Sequence, residues 1–132
     1  MERLINCCHD FYLHVAKLFY AVANIDGNIR EEEYDALKNT LKNEWIHKYK
    51  GKKPVVDEIL NCFQLIVDQK EKAEDSFKEF IAYKKKHEKL FTNQMKNTLW
   101  QVSCEIADSV NKKNKSELII LVHLGKQLGL MK

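Results

Sequence analysis

The chain has 132 residues, 45% of them hydrophobic, and its 22 basic and 19 acidic side chains give a formal net charge of +3. This length suffices for one domain with its own hydrophobic core, so we expect a single domain over residues 1–132. The four glycines and one proline disfavour a turn-rich β protein and favour helices. So small a net charge does not by itself support nucleic-acid binding.

No stretch of roughly 18 apolar residues could span a membrane, and the N-terminus lacks the basic, apolar and small-residue order of a secretion signal. The four cysteines are Cys7, Cys8, Cys62 and Cys104, and none of them forms a CxxC pair. Isolated cysteines are typical of reduced thiols that pack in a core. We therefore expect a cytoplasmic protein without a disulfide framework.

Apolar residues recur at alternating steps of three and four along most of the chain, a spacing that predicts about six amphipathic helices. The predicted segments are residues 4–23, 31–46, 56–67, 71–89, 95–110 and 115–128. The fourth segment is highly charged and has few apolar residues, so we expect it on the outside of the bundle. Residues 91–93 mark either an interruption or a bend, because no Gly or Pro separates the fourth segment from the fifth.

The residues between these segments carry helix start and stop signals. Gly27 can adopt the positive φ that a reversal of the chain requires, and the basic stretch 48–54 is expected to be an exposed loop. Asn114 with Glu117 three residues later is typical of an N-cap and its reciprocal glutamate. Gly129 is expected to end the last helix in a left-handed conformation.

Acidic and polar residues surround the turn after the first helix, and their oxygen atoms are the ligands that hard divalent cations prefer. Asp26 and Glu33 are the main candidate ligands, with Asn28 and Glu32 as helpers. They could hold Ca²⁺, Mg²⁺ or Zn²⁺ weakly. The alternative is that these acids stabilise the start of the second helix through its dipole and bind nothing.

Two more specific metal sites are disfavoured. Asp26 and Glu33 match positions five and twelve of an EF-hand loop, but position one would be Val22, which has no carboxylate. A second group of possible zinc ligands is Cys7, Cys8, His9, Asp10 and His14. Successive residues of a helix diverge by about 100°, so these side chains cannot all converge on one ion. Cys8 is instead expected in the core, and His9 and His14 are expected at the surface or at its boundary.

Lysines are concentrated in three clusters, residues 48–53, residues 84–86 with Lys89, and residues 112–115. Such clusters can contact the phosphates of a nucleic acid or an anionic membrane surface. The alternative is that they are ordinary solvated side chains, and the absence of any recognised nucleic-acid-binding motif favours it.

The two halves of the chain show a weak internal similarity. When Glu33 is placed over Glu117, Gly27 falls over Asn111 without a gap. In both halves an apolar helix is followed by a short step and a helix that begins with glutamate. We therefore expect two pseudo-repeated helix-turn-helix units.

Residues 23–29 (A-N-I-D-G-N-I) with Glu33, and the L-G-L ending at 128–130, are similar to motifs of a known family. The chain resembles the tellurite-resistance TerB-like family, which also includes the N-terminal domain of a DnaJ-like membrane co-chaperone. The resemblance extends over nearly the whole chain in organisation, but few residues carry it.

The resemblance implies an all-helical bundle, no established enzymatic activity, and an acidic divalent-cation site in the two turns between helices. Asp26 and Glu33 match the first turn, and Glu117 matches the second. In the second turn Val110 stands where the family has an acid.

Motifs for catalysis are missing from the sequence, which has no P-loop, GxSxG, HExxH or glycine-rich dinucleotide turn. We therefore expect a binding or stress-response module and not an enzyme, with another protein as its partner. Two alternatives are a binder of phosphates or anionic surfaces through the lysines, and a metal-free scaffold that docks a protein in an apolar groove between its helices.

Overall fold

The computed structural model describes residues 2–25, 31–43, 53–111 and 115–130. These residues form helices and no strand, which confirms the predicted all-α bundle of about six helices. The α-helices are α1 (Glu2–Ala23), α2 (Glu31–Asn43), α3 (Lys53–Gln69), α4 (Ala73–Lys86), α5 (Asn93–Asn111) and α6 (Lys115–Gln127). Within the same residues, no helix is long and apolar enough to cross a membrane.

Helix α1 lies at the centre and packs against α3, α4, α5 and α6. Residues 15–23 are all buried. The apolar spacing predicted one wide buried face, and the structure instead covers this half of α1 on every side. The bundle is therefore built around the second half of α1.

The hydrophobic core receives side chains from all six helices. Its largest fully buried side chains include Phe19, Phe63, Phe80, Leu99 and Leu124. Full burial of such a side chain contributes roughly 1.5–3 kcal/mol relative to leaving it in water.

The charged fourth segment exposes most of its charged residues to solvent, as predicted, and contributes an apolar stripe to the core. Helix α4 packs along α1 and buries Phe77, Phe80 and Tyr83. A helix needs only a narrow apolar stripe to join a core, and aromatic residues three apart provide it despite the many charges. The charged residues of α4 lie mostly on its opposite, exposed side.

Helices α4 and α5 are separated by a true interruption. A short 3-10 helix at Glu88–Leu90 follows α4, and the backbone N–H of Met95 donates to the Thr92 hydroxyl at 3.1 Å. Thr92 therefore caps the start of α5, because its side chain satisfies one of the free N–H groups there. Of the two alternatives for residues 91–93, the interruption is confirmed.

The predicted end of the last helix is also confirmed. Gly129 has a φ of 75°, and the N–H of Leu130 donates to the Gly125 carbonyl at 2.9 Å. This pattern is the left-handed C-terminal cap that glycine favours. Pro54 lies in the first turn of α3, where proline is well tolerated. The predictions for Gly27, Asn114 and the loop before α3 fall outside the described residues.

Lys84, near the end of α4, is buried and joins α4 to the end of α6. Its Nζ donates to the Gln127 carbonyl at 2.7 Å and to the Glu88 carboxylate at 3.0 Å. Carbonyls in the last turn of a helix have no partner within the helix. Lys84 provides one from a neighbouring helix.

We expect Lys84→Met to lower the free energy of unfolding by about 1–2 kcal/mol, because the Gln127 carbonyl then loses its charged donor. Lys85→Met is the control, since Lys85 is exposed and its loss should change stability by less than about 0.5 kcal/mol. Denaturant unfolding of both variants measures the difference. Equal stability of the two variants would contradict this role of Lys84.

Candidate functional site

The predicted cation site lies mostly beyond the part of the chain that the structure describes. Asp26 and Asn28 are outside it, as are the side chains of Glu32, Glu33 and Glu117. The backbone places the three glutamates in the first turns of α2 and α6, as expected. Among the described residues, no group of three or more His, Cys, Asp and Glu side chains could hold a metal ion. The cation site stays a prediction.

His14, from the second possible metal cluster, is held in an aromatic stack. Its Nδ1 donates to the Asp10 carbonyl at 2.7 Å, and its ring lies parallel to Tyr83 with centroids 4.1 Å apart. The ring of His87 packs against the same tyrosine, with the ring centroids 4.4 Å apart. His14 is half-buried, so the expected boundary position is confirmed. The side chains of Cys7, Cys8 and His9 are not among those that the structure describes.

Cys62 and Cys104, whose side chains the structure describes, are thiols that are not joined in a disulfide. Cys62 is buried in the core, and burial, with the nearby charge of Glu58, raises the pKa of its thiol to about 11. The thiol rather than the reactive thiolate therefore dominates at neutral pH. Cys104 is half-buried and packs against the same core. Both positions agree with the expected packing role.

The second lysine cluster is smaller than the sequence suggests. Lys84 points into the protein and caps α6, while Lys85, Lys86 and Lys89 remain exposed. The other two clusters fall largely outside the described ranges. The surface that could meet phosphates through this part of the chain is therefore reduced by one lysine.

An apolar groove opens between the end of α1, the first half of α4 and the second turn of α6. Its volume is about 370 Å³. The lining residues are Ile25, Glu74, Phe77, Lys78, Ile119, Ile120 and His123. Phe77 and Ile120 are buried and form the floor. The rings of Phe77 and His123 pack edge to face, with their centroids 5.2 Å apart.

The wall of the groove on α6 exposes an apolar side chain. Ile119 lines the groove and is 63% exposed, and Val122, which lies outside the lining three residues further along α6, is 41% exposed. The opposite wall on α4 carries Glu74 and Lys78, which are both exposed. The groove thus has an apolar floor, one apolar wall and one charged wall.

The sequence of α6 explains why this wall is apolar. Residues 118–122 read L-I-I-L-V, so apolar residues extend beyond one face of the helix. Ile120, Leu121 and Leu124 fill the core. Ile119 and Val122 are left on the other side, because residues three apart share a face. This apolar run is the feature of the sequence that indicates exposed apolar surface on α6.

A buried lysine holds the charged wall in place. Lys17, in the buried part of α1, is only 8% exposed. Its Nζ forms ion pairs with Glu71 at 3.3 Å and with Glu79 of α4. The Ser76 hydroxyl donates to the same Glu71 carboxylate at 2.8 Å. Since Ser76 precedes Phe77, these contacts fix the start of α4 and the groove floor with it.

Tyr20 extends this network toward the groove. Its hydroxyl donates to the Glu71 carbonyl at 2.6 Å and accepts a hydrogen bond from the Asn24 amide at 3.1 Å. Asn24 is followed directly by Ile25, which lines the groove. The network therefore reaches from the ion pairs of Lys17 to the groove.

Opposing influences act on the Lys17 ammonium. Burial alone would lower the pKa of Lys17, but its hydrogen bond to Glu79 and the charges of Glu71 and Glu79 outweigh burial and raise it. The lysine therefore stays charged inside the bundle. Because a buried charge needs a partner, the two glutamates stabilise the charged lysine at this position.

The fold and the groove define the class of this protein: an all-α helical bundle with an open apolar groove on one side. Comparison of the chain with protein-family models, with curated proteins and with solved structures gives no match. The resemblance to the TerB-like family therefore stays a prediction from the sequence, and function is argued from the geometry of the groove.

We expect Lys17→Met to lower the free energy of unfolding by about 2 kcal/mol at pH 7, because the half-buried Glu71 carboxylate loses its cation. Since the pKa of Lys17 is raised by folding, its contribution is present below its ordinary pKa of 10.5 and is lost as the pH rises through the raised value. Denaturant unfolding at pH 7 and at about pH 11.5 should show that the variant and the wild type differ less in free energy of unfolding at the higher pH.

Lys72→Met is the control for this experiment, because Lys72 is an exposed lysine near the same end of α4. Its effect should stay below about 0.5 kcal/mol at either pH. A Lys17→Met protein as stable as the wild type at pH 7 would show that the ion pairs contribute nothing.

Proposed function

We propose that this chain is a non-enzymatic, TerB-like module of the cytoplasm that serves in binding or stress response, and that its groove receives a helical segment of a partner protein. One observation carries the proposal: Ile119 is 63% exposed beside the apolar floor of the groove, and Val122, three residues further along α6, exposes a second apolar side chain. Single exposed apolar residues are common on protein surfaces. Exposed apolar residues that extend a groove mark an interaction site.

The shape of the groove favours a protein segment over a small molecule. Pockets for small ligands bury most of the ligand surface. Here Ile119 of the groove wall is 63% exposed, and it is followed three residues further along α6 by the exposed Val122. An amphipathic helix fits such a surface, because its apolar residues at steps of three and four can fill the groove and cover the adjoining turn.

Binding of phosphates through lysines has less support. Lys84 is occupied by Gln127 and Glu88, and the groove wall carries one acid and one base, which leave no local excess of positive charge. An anionic surface would gain little there, because binding to phosphates depends on accumulated positive charge.

The groove is tested by selecting helical peptides from a displayed random library on the immobilised protein. We expect the enriched peptides to carry apolar residues at steps of three and four. Ile119→Glu should weaken their binding at least tenfold, because it places a charge on the apolar wall. Since Ile119 is exposed, this variant should fold normally. Leu65→Glu is the matched control, because Leu65 is 52% exposed on α3, away from the groove, and its variant should bind like the wild type.

Two results would contradict the proposal. One is a selection that enriches no apolar helical pattern. The other is peptide binding that is equal for the wild type and Ile119→Glu, which would place the interaction elsewhere on the surface.

The predicted cation site is a separate part of the proposal. We expect Ca²⁺, Mg²⁺ or Zn²⁺ to raise the melting temperature of chelator-treated protein, because a ligand that binds only the folded state stabilises it. At about ten times the dissociation constant, the gain is about 1.4 kcal/mol. The combined Asp26→Ala and Glu33→Ala substitutions should abolish the shift, while Asp35→Ala, at an exposed position of α2, should keep it. If no ion shifts the wild type, the acids serve the helix start alone.

A further inference from the structure

The charged wall of the groove carries two opposite charges on one face of α4. Glu74 and Lys78 are four residues apart, and both are exposed and line the groove. Residues at this spacing are neighbours on a helix surface. Neither forms an ion pair with another described residue. Each therefore has charge available for a group outside the protomer.

The same surface has both a projection and a depression. Ile119 is 63% exposed and stands at the edge of the groove, whose floor is formed by Phe77 and Ile120. A surface that combines a projecting apolar side chain with an apolar groove can fit a copy of itself, because the projecting side chain of each copy can fill the groove of the other. In a two-fold interface, residue i of one copy contacts residue j of the other, and j contacts i.

We propose that the occupant of the groove is a second copy of this chain, related by a two-fold axis. This inference rests on the proposed function of the groove as a docking site. The charges of the wall are complementary to those of a second copy: a two-fold axis near α4 brings Glu74 of each copy to Lys78 of the other, so both ion pairs form at once. Ile119 of each copy then enters the groove of the other.

Sedimentation velocity of the full chain over a range of concentrations tests the pairing. The wild type should form dimers at or below about 1 mM, which corresponds to weak but specific association. Glu74→Lys and Lys78→Glu should each weaken the dimer roughly tenfold, because each places two like-charged pairs across the axis. Both positions are exposed, so neither variant should lose its fold.

The decisive measurement combines these variants. A protomer with Glu74→Lys has two lysines on the wall, and one with Lys78→Glu has two glutamates. An equimolar mixture of the two should recover wild-type dimerisation as a heterodimer, and the double swap Glu74→Lys with Lys78→Glu should recover it as a homodimer. Lys85→Glu is the control, because Lys85 is an exposed lysine of α4 that does not line the groove, and its variant should dimerise like the wild type.

Failure of the dimer is distinguishable from failure of the groove. A wild type that stays monomeric up to about 1 mM overturns the self-association, as does a dimer that is indifferent to the charge swaps. If selected peptides still bind in an Ile119-dependent way, the groove remains a docking site and its occupant is a different protein. If the peptides fail as well, both proposals fall.

Discussion

The ammonium of Lys17 is the constraint on which much of this bundle depends. It lies in the half of α1 that is buried on all sides, where a charge without a partner would be very unfavourable. Glu71 and Glu79 supply the partners, one from the turn before α4 and one from α4 itself. Because both partners come from this short stretch, the position of α4 along α1 is set by charge as well as by its aromatic stripe. Apolar packing alone would tolerate small shifts along the helix axis, whereas an ion pair requires a definite distance.

A second buried lysine repeats this arrangement at the other end of α4. Lys84 joins the end of α4 to the last carbonyl of α6, while Lys17 joins the beginning of α4 to α1. Helix α4 is therefore fixed at both ends, to two different neighbours. The groove lies between α4 and α6, and these contacts hold α4 in place beside it. A groove held in this way can carry apolar side chains on its surface without closing on them.

The sequence predicted local structure well and neighbours poorly. The period of the apolar residues and the caps at Thr92 and Gly129 act over a few residues, so the helix order could be predicted and the left-handed end of α6 is as expected. Lys17 and Glu79 are 62 residues apart, and no local pattern tells which glutamate a lysine will meet. For the same reason, the sequence of α4 indicates an exposed charged side and a buried aromatic stripe, but it does not indicate that the stripe packs along α1.

The apolar surface of α6 could be predicted from the sequence, but the groove that it lines could not. The run L-I-I-L-V at residues 118–122 has more apolar residues than one helix face can bury, so the sequence alone indicates surplus apolar surface on α6. That surplus becomes a groove only because Phe77 of α4 and Ile25 at the end of α1 lie opposite it, and their arrangement follows from the buried lysine network. Polar residues in place of Ile119 and Val122 would leave the core formed by Ile120, Leu121 and Leu124 unchanged. The fold therefore does not require these two apolar side chains, and this is the physical basis for proposing that another chain covers them.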